Sequence, residues 1–198
     1  MLEQVKTVLE KKGYAVQLFQ TSQEARDYVL ASVEAGRSVG IGGSITVQQL
    51  ELDKALAEKG CPVYWHWTAV DKEGAQIAAA TADVYLCSAN ALTEKGQIIN
   101  IDGHGNRVAA TIHGPGKVIF LIGKNKLVEN YDAALERIKS AACPANARRL
   151  GLNTPCAVLG KCTDCDSPQR MCNATVILER ATSGHPMEVV LVNEDLGY

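Results

Sequence analysis

Short apolar segments alternate with amphipathic segments along almost the whole chain. The clearest apolar segment is KVIFLIG at residues 117–123, which predicts a strand buried in the core. Further strands are predicted at 14–19, 38–43, 62–67, 83–89, 97–101 and 187–197. Between them, amphipathic patterns predict helices, including one over 46–59 that ends at Gly60 and one over 127–141. Strands that alternate with helices are typical of a largely parallel sheet covered by helices, so the sequence predicts an α/β fold.

The chain has the size and composition of one domain. Its 198 residues, of which 46% are hydrophobic, are enough for a sizeable core. The one break in composition is a segment with Cys, Gly and Pro at about 143–173, after which strand character resumes. We therefore expect a single domain over 1–198, with 143–173 as a cysteine-rich excursion from it.

The charge balance and the hydropathy pattern exclude several classes of partner. Lys and Arg number 20 against 22 Asp and Glu, which argues against nucleic-acid binding and against a basic membrane surface. No apolar run reaches the ~18 residues of a membrane span, and the charged N-terminus lacks the features of a signal peptide. We expect a cytoplasmic protein with reduced thiols, in which a disulfide framework is disfavoured.

A glycine-rich turn follows the predicted strand at 38–43. In GIGGSIT, glycines would let the backbone approach a ligand, and a helix that starts after them would present free N–H groups to an anion. We predict that Gly42, Gly43, Ser44 and Thr46 bind an anionic ligand. The alternative is a tight strand-to-helix turn capped by Ser44 or Thr46.

A polar stretch lies between two apolar strands in the middle of the chain. Glu94 follows a predicted strand, at the edge where open α/β sheets bind ligands, so it is the candidate general base or nucleophile. The alternative for this stretch is a glycine-rich hairpin with solvated polar residues, and for His104 and His113 taken singly that alternative is favoured. Basic groups in GKNK and NARR could bind an anion or be ordinary surface. The candidate ligand-binding residues outside the glycine-rich turn are Asn90, Asp102, His104, Asn106, Arg107 and Lys124.

Four of the seven cysteines lie in PCAVLGKCTDCDSPQRMC, with the spacing Cys-x5-Cys-x2-Cys-x6-Cys. Four thiolates suit tetrahedral zinc or an iron–sulfur cluster, and the spacing does not choose between them. Unligated thiols are the alternative. Cys143 is a substitute ligand, whereas Cys61 and Cys87 have the surroundings of core residues. The predicted metal ligands are Cys156, Cys162, Cys165 and Cys172.

Several of these segments together resemble the LUD domain family, which is named for lactate utilisation. The resemblance rests on GIGGSIT, TADVYLCSANALTEKGQIINIDGHGNRVAA, GPGKVIFLIGKNKLV and VVLVNEDLGY, and it spans nearly the whole chain. The cysteine-rich segment resembles that of a small stand-alone subgroup. The resemblance implies a three-layer α/β/α sandwich, similar to the superfamily of sugar-phosphate isomerases and CoA transferases.

The resemblance also implies a role in oxidation of L-lactate to pyruvate together with redox partner subunits. On that hypothesis the cysteines hold a 4Fe–4S cluster beside a pocket for a small anionic metabolite. A second hypothesis is a transferase-like or isomerase-fold enzyme that acts on a phosphorylated or carboxylated small molecule, with Glu94 as the base and the cysteines as a structural zinc site. A third is a non-catalytic ligand-binding subunit. Association into a homo-oligomer stays open.

Overall fold

The structure is a computed structural model that describes residues 1–198. Its helices are α1 (Leu2–Lys11), α2 (Ser22–Ser32), α3 (Ile45–Gln49), α4 (Leu52–Glu58), α5 (Lys72–Ala80), α6 (Asn106–Ile112), α7 (Tyr131–Arg137), α8 (Cys143–Arg149) and α9 (Pro155–Leu159). Its strands are β1 (Ala15–Phe19), β2 (Val39–Ile41), β3 (Val63–Trp65), β4 (Val84–Cys87), β5 (Ala91–Thr93), β6 (Ile98–Asp102), β7 (Lys117–Gly123), β8 (Leu127–Val128), β9 (Ala174–Leu178) and β10 (Met187–Val192). A 3₁₀ turn covers Lys124–Lys126, and a π-helical turn covers Ile138–Ala142.

Six parallel strands form the main sheet, in the order β1-β10-β7-β4-β2-β3. The central strand β7 is buried on both faces, as its continuous apolar sequence predicts. Val118, Phe120 and Ile122 of β7 face one core cluster, while Ile119 and Leu121 face the other. This alternation follows from the two-residue period of a strand.

Helices cover both faces of the main sheet. The apolar residues of α2, α3 and α4 pack in one core cluster, and those of α1, α5 and α6 pack in the cluster on the opposite face. The predicted α/β/α sandwich is confirmed. A capping box starts α2, because the Thr21 side chain accepts from the Glu24 N–H and the Glu24 carboxylate accepts from the Thr21 N–H.

A second, four-stranded sheet was not predicted from the sequence. Its order is β8-β5-β6-β9, with β6 antiparallel to both of its neighbours. One side of this sheet shares the core cluster of α1, and α7 packs against the other side through Ala134 and Ile138. The strands β5 and β8 have three and two residues, which is too short for a recognisable alternation.

Two helix predictions need correction. The segment 46–59 is not one helix but two, α3 and α4, because the chain turns at Glu51, which has φ 47°. The segment 127–141 begins as strand β8, and its helix starts only after Asn130, whose side chain accepts from the Ala133 N–H. No helix of the structure combines the length and the hydropathy needed to cross a membrane.

The cysteine-rich segment leaves α7 through the π-helical turn and forms α8, α9 and a loop without helix or strand. It returns as β9, which pairs with β6. Backbone hydrogen bonds tie the loop to the rest of the chain at two points, Cys162 N–H to Lys139 O at 2.9 Å and Asn173 N–H to Asp102 O at 3.0 Å.

Candidate functional site

A cleft of about 390 Å³ opens where the parallel strands of the main sheet end. Its wall includes residues 43–46 after β2, 66–67 after β3, 88–90 after β4, Lys126 after β7 and residues 197–198 after β10. The second sheet contributes the end of β6 and the start of α6, and the cysteine-rich segment contributes α8 and residues 169–171. Ligands of open α/β sheets bind at this edge, so the cleft is the candidate functional site.

The glycine-rich turn forms one side of the cleft. Gly43, Ser44 and Thr46 line it, whereas Gly42 lies behind it. A Cβ at Gly42 would lie 2.9 Å from Tyr85 Oη and 3.0 Å from an Arg107 side-chain carbon, so only glycine fits there. Ser44 Oγ accepts the Val47 N–H at 3.2 Å, so Ser44 caps the short helix α3, as the capping alternative predicts.

An internal ion pair forms the base of the cleft. Arg107 Nε lies 3.2 Å from Asp102 Oδ2, and both side chains are mostly buried. Arg107 also donates to Asn100 Oδ1 at 3.1 Å and to Ile101 O at 2.7 Å, while Asn90 Oδ1 accepts the Ile101 N–H at 2.8 Å. The predicted site residues Asn90, Asp102 and Arg107 therefore line the cleft, but most of their polar atoms bind one another and fix its shape.

The environment of Asp102 keeps its side chain ionised. Burial would raise the pKa of Asp102, but Arg107 and the N–H groups of Gly105 and His104 outweigh burial and hold the pKa below its usual range. His104 and Asn106, which follow Asp102, also line the cleft. His66 lies opposite, and burial together with nearby His104 lowers the pKa of His66.

Lys126 lies at the inner wall of the cleft and was not among the predicted site residues. Its Nζ donates to Ser88 Oγ at 2.7 Å and to Thr46 Oγ1 at 2.8 Å. Burial, and after it the charges of Arg137 and Arg107, lower the pKa of Lys126 to about 7, while Cys87 acts weakly in the opposite direction.

Aromatic and basic side chains form the outer wall. The Arg149 guanidinium carbon lies 4.2 Å from the centre of the Trp67 ring, a cation–π contact. Arg149 also donates from Nε and Nη2 to Asn146 Oδ1, at 3.2 and 2.8 Å. With Arg107 and Arg170, three guanidinium groups line the cleft together with the amine of Lys126, and the one carboxylate side chain is the paired Asp102. The cleft therefore has an excess of positive charge.

Three residues considered in the sequence lie outside the cleft. Glu94 is exposed in the turn between β5 and β6, and a Cβ at neighbouring Gly96 would contact α1 at Val8 and Lys12. The catalytic role predicted for Glu94 therefore has no support in this geometry. Lys124 is exposed at the other end of the 3₁₀ turn from Lys126, and His113 is exposed after α6.

A second, smaller cavity of about 20 Å³ adjoins the cleft. Five thiols line it, together with Thr154, Thr163, Arg170 and Met171. The five cysteines are Cys143, Cys156, Cys162, Cys165 and Cys172. No disulfide links any cysteine of the chain, and no three donor side chains converge closely enough to hold one metal ion. The four predicted ligands nevertheless line one cavity, and Cys143 lines it with them.

The loop around Cys162 and Cys165 has the geometry of a turn that points two thiols to one side. The Asp164 N–H donates to Cys162 Sγ at 3.3 Å, and Asp164 has φ 50°, in the left-handed region. Arg170 connects two parts of this loop, because Nη1 donates to Cys165 O at 2.7 Å and Nε donates to Cys172 O at 3.2 Å. Burial, and after it the thiols of Cys172, Cys162 and Cys156, raise the pKa of Cys143 to about 12.

The sequence matches the LUD domain over residues 2–192. The chain belongs to the LUD domain family. This confirms the resemblance drawn from the sequence motifs, and it links the chain in general terms to lactate utilisation. None of the curated proteins compared with this LUD protein matches it.

Two solved structures are similar to this chain to different degrees. A DUF162 family protein from Deinococcus radiodurans has 14% sequence identity and a TM-score of 0.55, with 96% of this chain and 95% of that chain covered. Ribose 5-phosphate isomerase A from Neisseria gonorrhoeae has 13% identity and a TM-score of 0.34, with 55% of this chain and 53% of that chain covered. The first likeness shows that the fold extends over the whole of both chains.

Proposed function

We propose that this LUD protein binds a small carboxylate of the lactate and pyruvate class in the cleft, beside an iron–sulfur cluster held by its cysteines. The observation that carries the proposal is that Cys143, Arg170 and Met171 line both the cleft and the cysteine cavity. A group bound by the thiols would therefore share a wall with a ligand in the cleft. The excess of cationic side chains in the cleft supports a negatively charged ligand.

The thiols around the cavity are a donor set that an iron–sulfur cluster could use. No three donors of the structure stand close enough together for one metal ion, so a zinc ion and a cluster would both require the loop to move. A 4Fe–4S cluster binds four thiolates, and five thiols surround the cavity. The cavity is narrow, but the loop around it has no helix or strand and can adjust to a bound group.

The cysteines that would hold the cluster are Cys156, Cys162, Cys165 and Cys172, with Cys143 as the fifth thiol on the side of the cleft. The Asp164 N–H to Cys162 Sγ hydrogen bond and the nearby Arg170 guanidinium would stabilise negative charge on the sulfurs. When bound, such a cluster supplies one-electron transfer. Oxidation of L-lactate to pyruvate releases two electrons and two protons, and redox partner proteins would take the electrons onward.

The residues of this chain would have distinct tasks toward the carboxylate. Arg149 donates from Nε and Nη2 to Asn146, which holds its guanidinium at the cleft wall, where it would meet the carboxylate of the ligand. The Asp102–Arg107 pair holds the base of the cleft in shape. Trp67 and Leu150 line the outer wall, where they would exclude water from a bound ligand.

Calorimetric titration of the anaerobically purified chain with L-lactate and with pyruvate tests the ligand. We expect saturable binding of at least one of the two. Arg149→Gln should weaken binding by about tenfold, because one charge-assisted hydrogen bond is lost. Arg148→Gln is the matched control, since Arg148 is exposed beside Arg149 but does not line the cleft. Absence of binding of both acids to the iron-containing chain would contradict the proposal.

A further inference from the structure

Lys126 is the only buried lysine of the chain, with 3% of its surface exposed, and it lines the cleft. It follows β7 in the 3₁₀ turn, so the carboxyl end of a buried central strand fixes its backbone. Lys126 belongs to no ion pair. A buried amine at a ligand cleft with no carboxylate partner is unusual, because buried lysines are ordinarily paired.

The hydrogen bonds around this amine leave a place for the lone pair of its neutral form. Ser88 Oγ donates to Leu121 O at 2.5 Å, and Thr46 Oγ1 donates to Leu196 O at 3.4 Å. Both hydroxyls therefore accept from Lys126 Nζ. A neutral amine has two N–H bonds, and both are used in this way. Its lone pair stays free, whereas the third N–H of an ammonium group would lack an acceptor inside the protein.

The surroundings also favour the neutral amine. Burial, Arg137 and Arg107 together bring the pKa of Lys126 to about 7, so a large fraction of the amine carries no charge near neutral pH. Gly197 lies beside the amine, and a Cβ there would come within 3.1 Å of Nζ. Because residue 197 has no side chain, no Cβ crowds Nζ on that side.

We propose that Lys126 is an amine nucleophile that forms an imine with the carbonyl group of a small 2-oxo carboxylate bound in the cleft. A neutral, desolvated lysine is the form that attacks carbonyl carbon. The cationic residues of the cleft would hold the carboxylate of the same molecule. The proposal rests on the proposed function for its ligand class. It adds a covalent site at Lys126 that exposed lysines such as Lys124 do not provide.

The step balances without a redox partner. The lone pair of Nζ attacks the carbonyl carbon, a C–N bond forms, and the carbonyl oxygen takes a proton to give a carbinolamine. The oxygen then leaves as water with the two hydrogens that began on the amine, and a C=N bond remains. Ser88 and Thr46, which hold the amine before attack, are placed to exchange protons with it.

Reductive trapping of the full chain with pyruvate and cyanoborohydride tests the proposal. We expect one adduct per chain, with the mass of a reduced pyruvate imine, mapped by peptide mass spectrometry to Lys126. L-Lactate has no carbonyl group and should give no adduct. Lys126→Arg should lose the adduct, whereas Lys124→Arg, an exposed lysine of the same 3₁₀ turn, should keep it. Mapping in the unmodified chain keeps the test valid if Lys126→Arg does not fold.

The result is read together with pyruvate binding measured without the reductant. Binding with no adduct, or with adducts spread evenly over exposed lysines, would overturn the imine and leave the proposed function standing. Absence of both binding and adduct would overturn the imine together with the ligand class on which it rests. Adduct on Lys126 that excess L-lactate suppresses supports the imine and its place in the cleft.

Discussion

Arg170 Nη1 donates a 2.7 Å hydrogen bond to the carbonyl oxygen of Cys165, and the same guanidinium lines both cavities. Arg170 thus connects the position of the cysteine loop to the wall of the cleft. Since Nε also bonds to Cys172 O, one side chain fixes the backbone of two proposed ligands.

We expect Arg170→Met to loosen this loop and to release bound iron to a chelator about tenfold faster than the unmodified chain, because the hydrogen bonds to Cys165 O and Cys172 O are lost. The loss of visible absorbance under anaerobic conditions measures the rate. Arg180→Met removes an exposed arginine outside both cavities and should leave the rate unchanged. Equal rates in the two variants would rule out the anchoring role of Arg170.

Cys165→Ser should lose most of the bound iron and sulfide, because a hydroxyl is a much weaker ligand for iron than a thiolate. Metal and acid-labile sulfide analysis of the purified variant measures the loss. Cys61→Ser is the control, since Cys61 is buried in the core away from the cavity and its replacement should keep the metal content. Retention of iron in Cys165→Ser would show that the ligand set is wrong.

Asp102→Asn should destabilise the fold by about 3 kcal/mol at neutral pH, because it leaves a mostly buried Arg107 without its charge partner. Urea denaturation measures the free energy of unfolding. Arg37→Gln removes an exposed arginine from its pairs with Glu34 and Asp83, and should cost less than about 1 kcal/mol. A similar small loss for Asp102→Asn would contradict the view that this pair shapes the cleft.

The effect of Asp102→Asn should also depend on pH. The pKa of Asp102 is lower in the folded chain than its ordinary value, which is about 4 in an unfolded chain. The carboxylate therefore stabilises the fold fully above that value, and the stabilisation is lost as pH falls through the lower pKa of the folded state. The difference in the free energy of unfolding between Asp102→Asn and the unmodified chain should shrink below about pH 4. A difference that stays constant down to acid unfolding would contradict this assignment.

The free energy of unfolding of Lys126→Met should fall relative to that of the unmodified chain as pH rises. In the folded chain the pKa of Lys126 is lowered to about 7, whereas the unfolded lysine keeps its proton to about pH 10. Between these values the unfolded state binds more protons, so the stability of the unmodified chain rises with pH, by up to about 4 kcal/mol. Urea denaturation at several pH values measures this. Lys124→Met should show no such dependence, and a flat difference for Lys126→Met would contradict a neutral buried amine.

The sequence predicted the main sheet well, because its central strands are continuous apolar runs that few other structures accommodate. KVIFLIG became β7 over the same residues, 117–123. The break at Glu51 was missed because residues 46–59 contain neither proline nor glycine. It is marked only by a two-residue step in the apolar pattern, from Leu50 to Leu52, both of which are buried. The strand predicted at 97–101 became β6, but the sheet around it was missed because β5 and β8, with three and two residues, carry no periodic signal.

The candidate site was predicted in part. Gly43, Ser44 and Thr46 line the cleft because a turn after a parallel strand always lies at its carboxyl edge. Glu94 does not, because it follows β5 of the second sheet and not a strand of the main sheet. Lys124 and Lys126 could not be distinguished in sequence, since which of two lysines in a short turn points inward depends on the packing around it.

The most direct test of the account is the iron, zinc and acid-labile sulfide content of the chain purified without oxygen, together with its visible spectrum. The account predicts about four irons and four sulfides per chain. It would be contradicted by about one zinc ion per chain, or by a chain that holds no metal and acquires none when iron and sulfide are supplied.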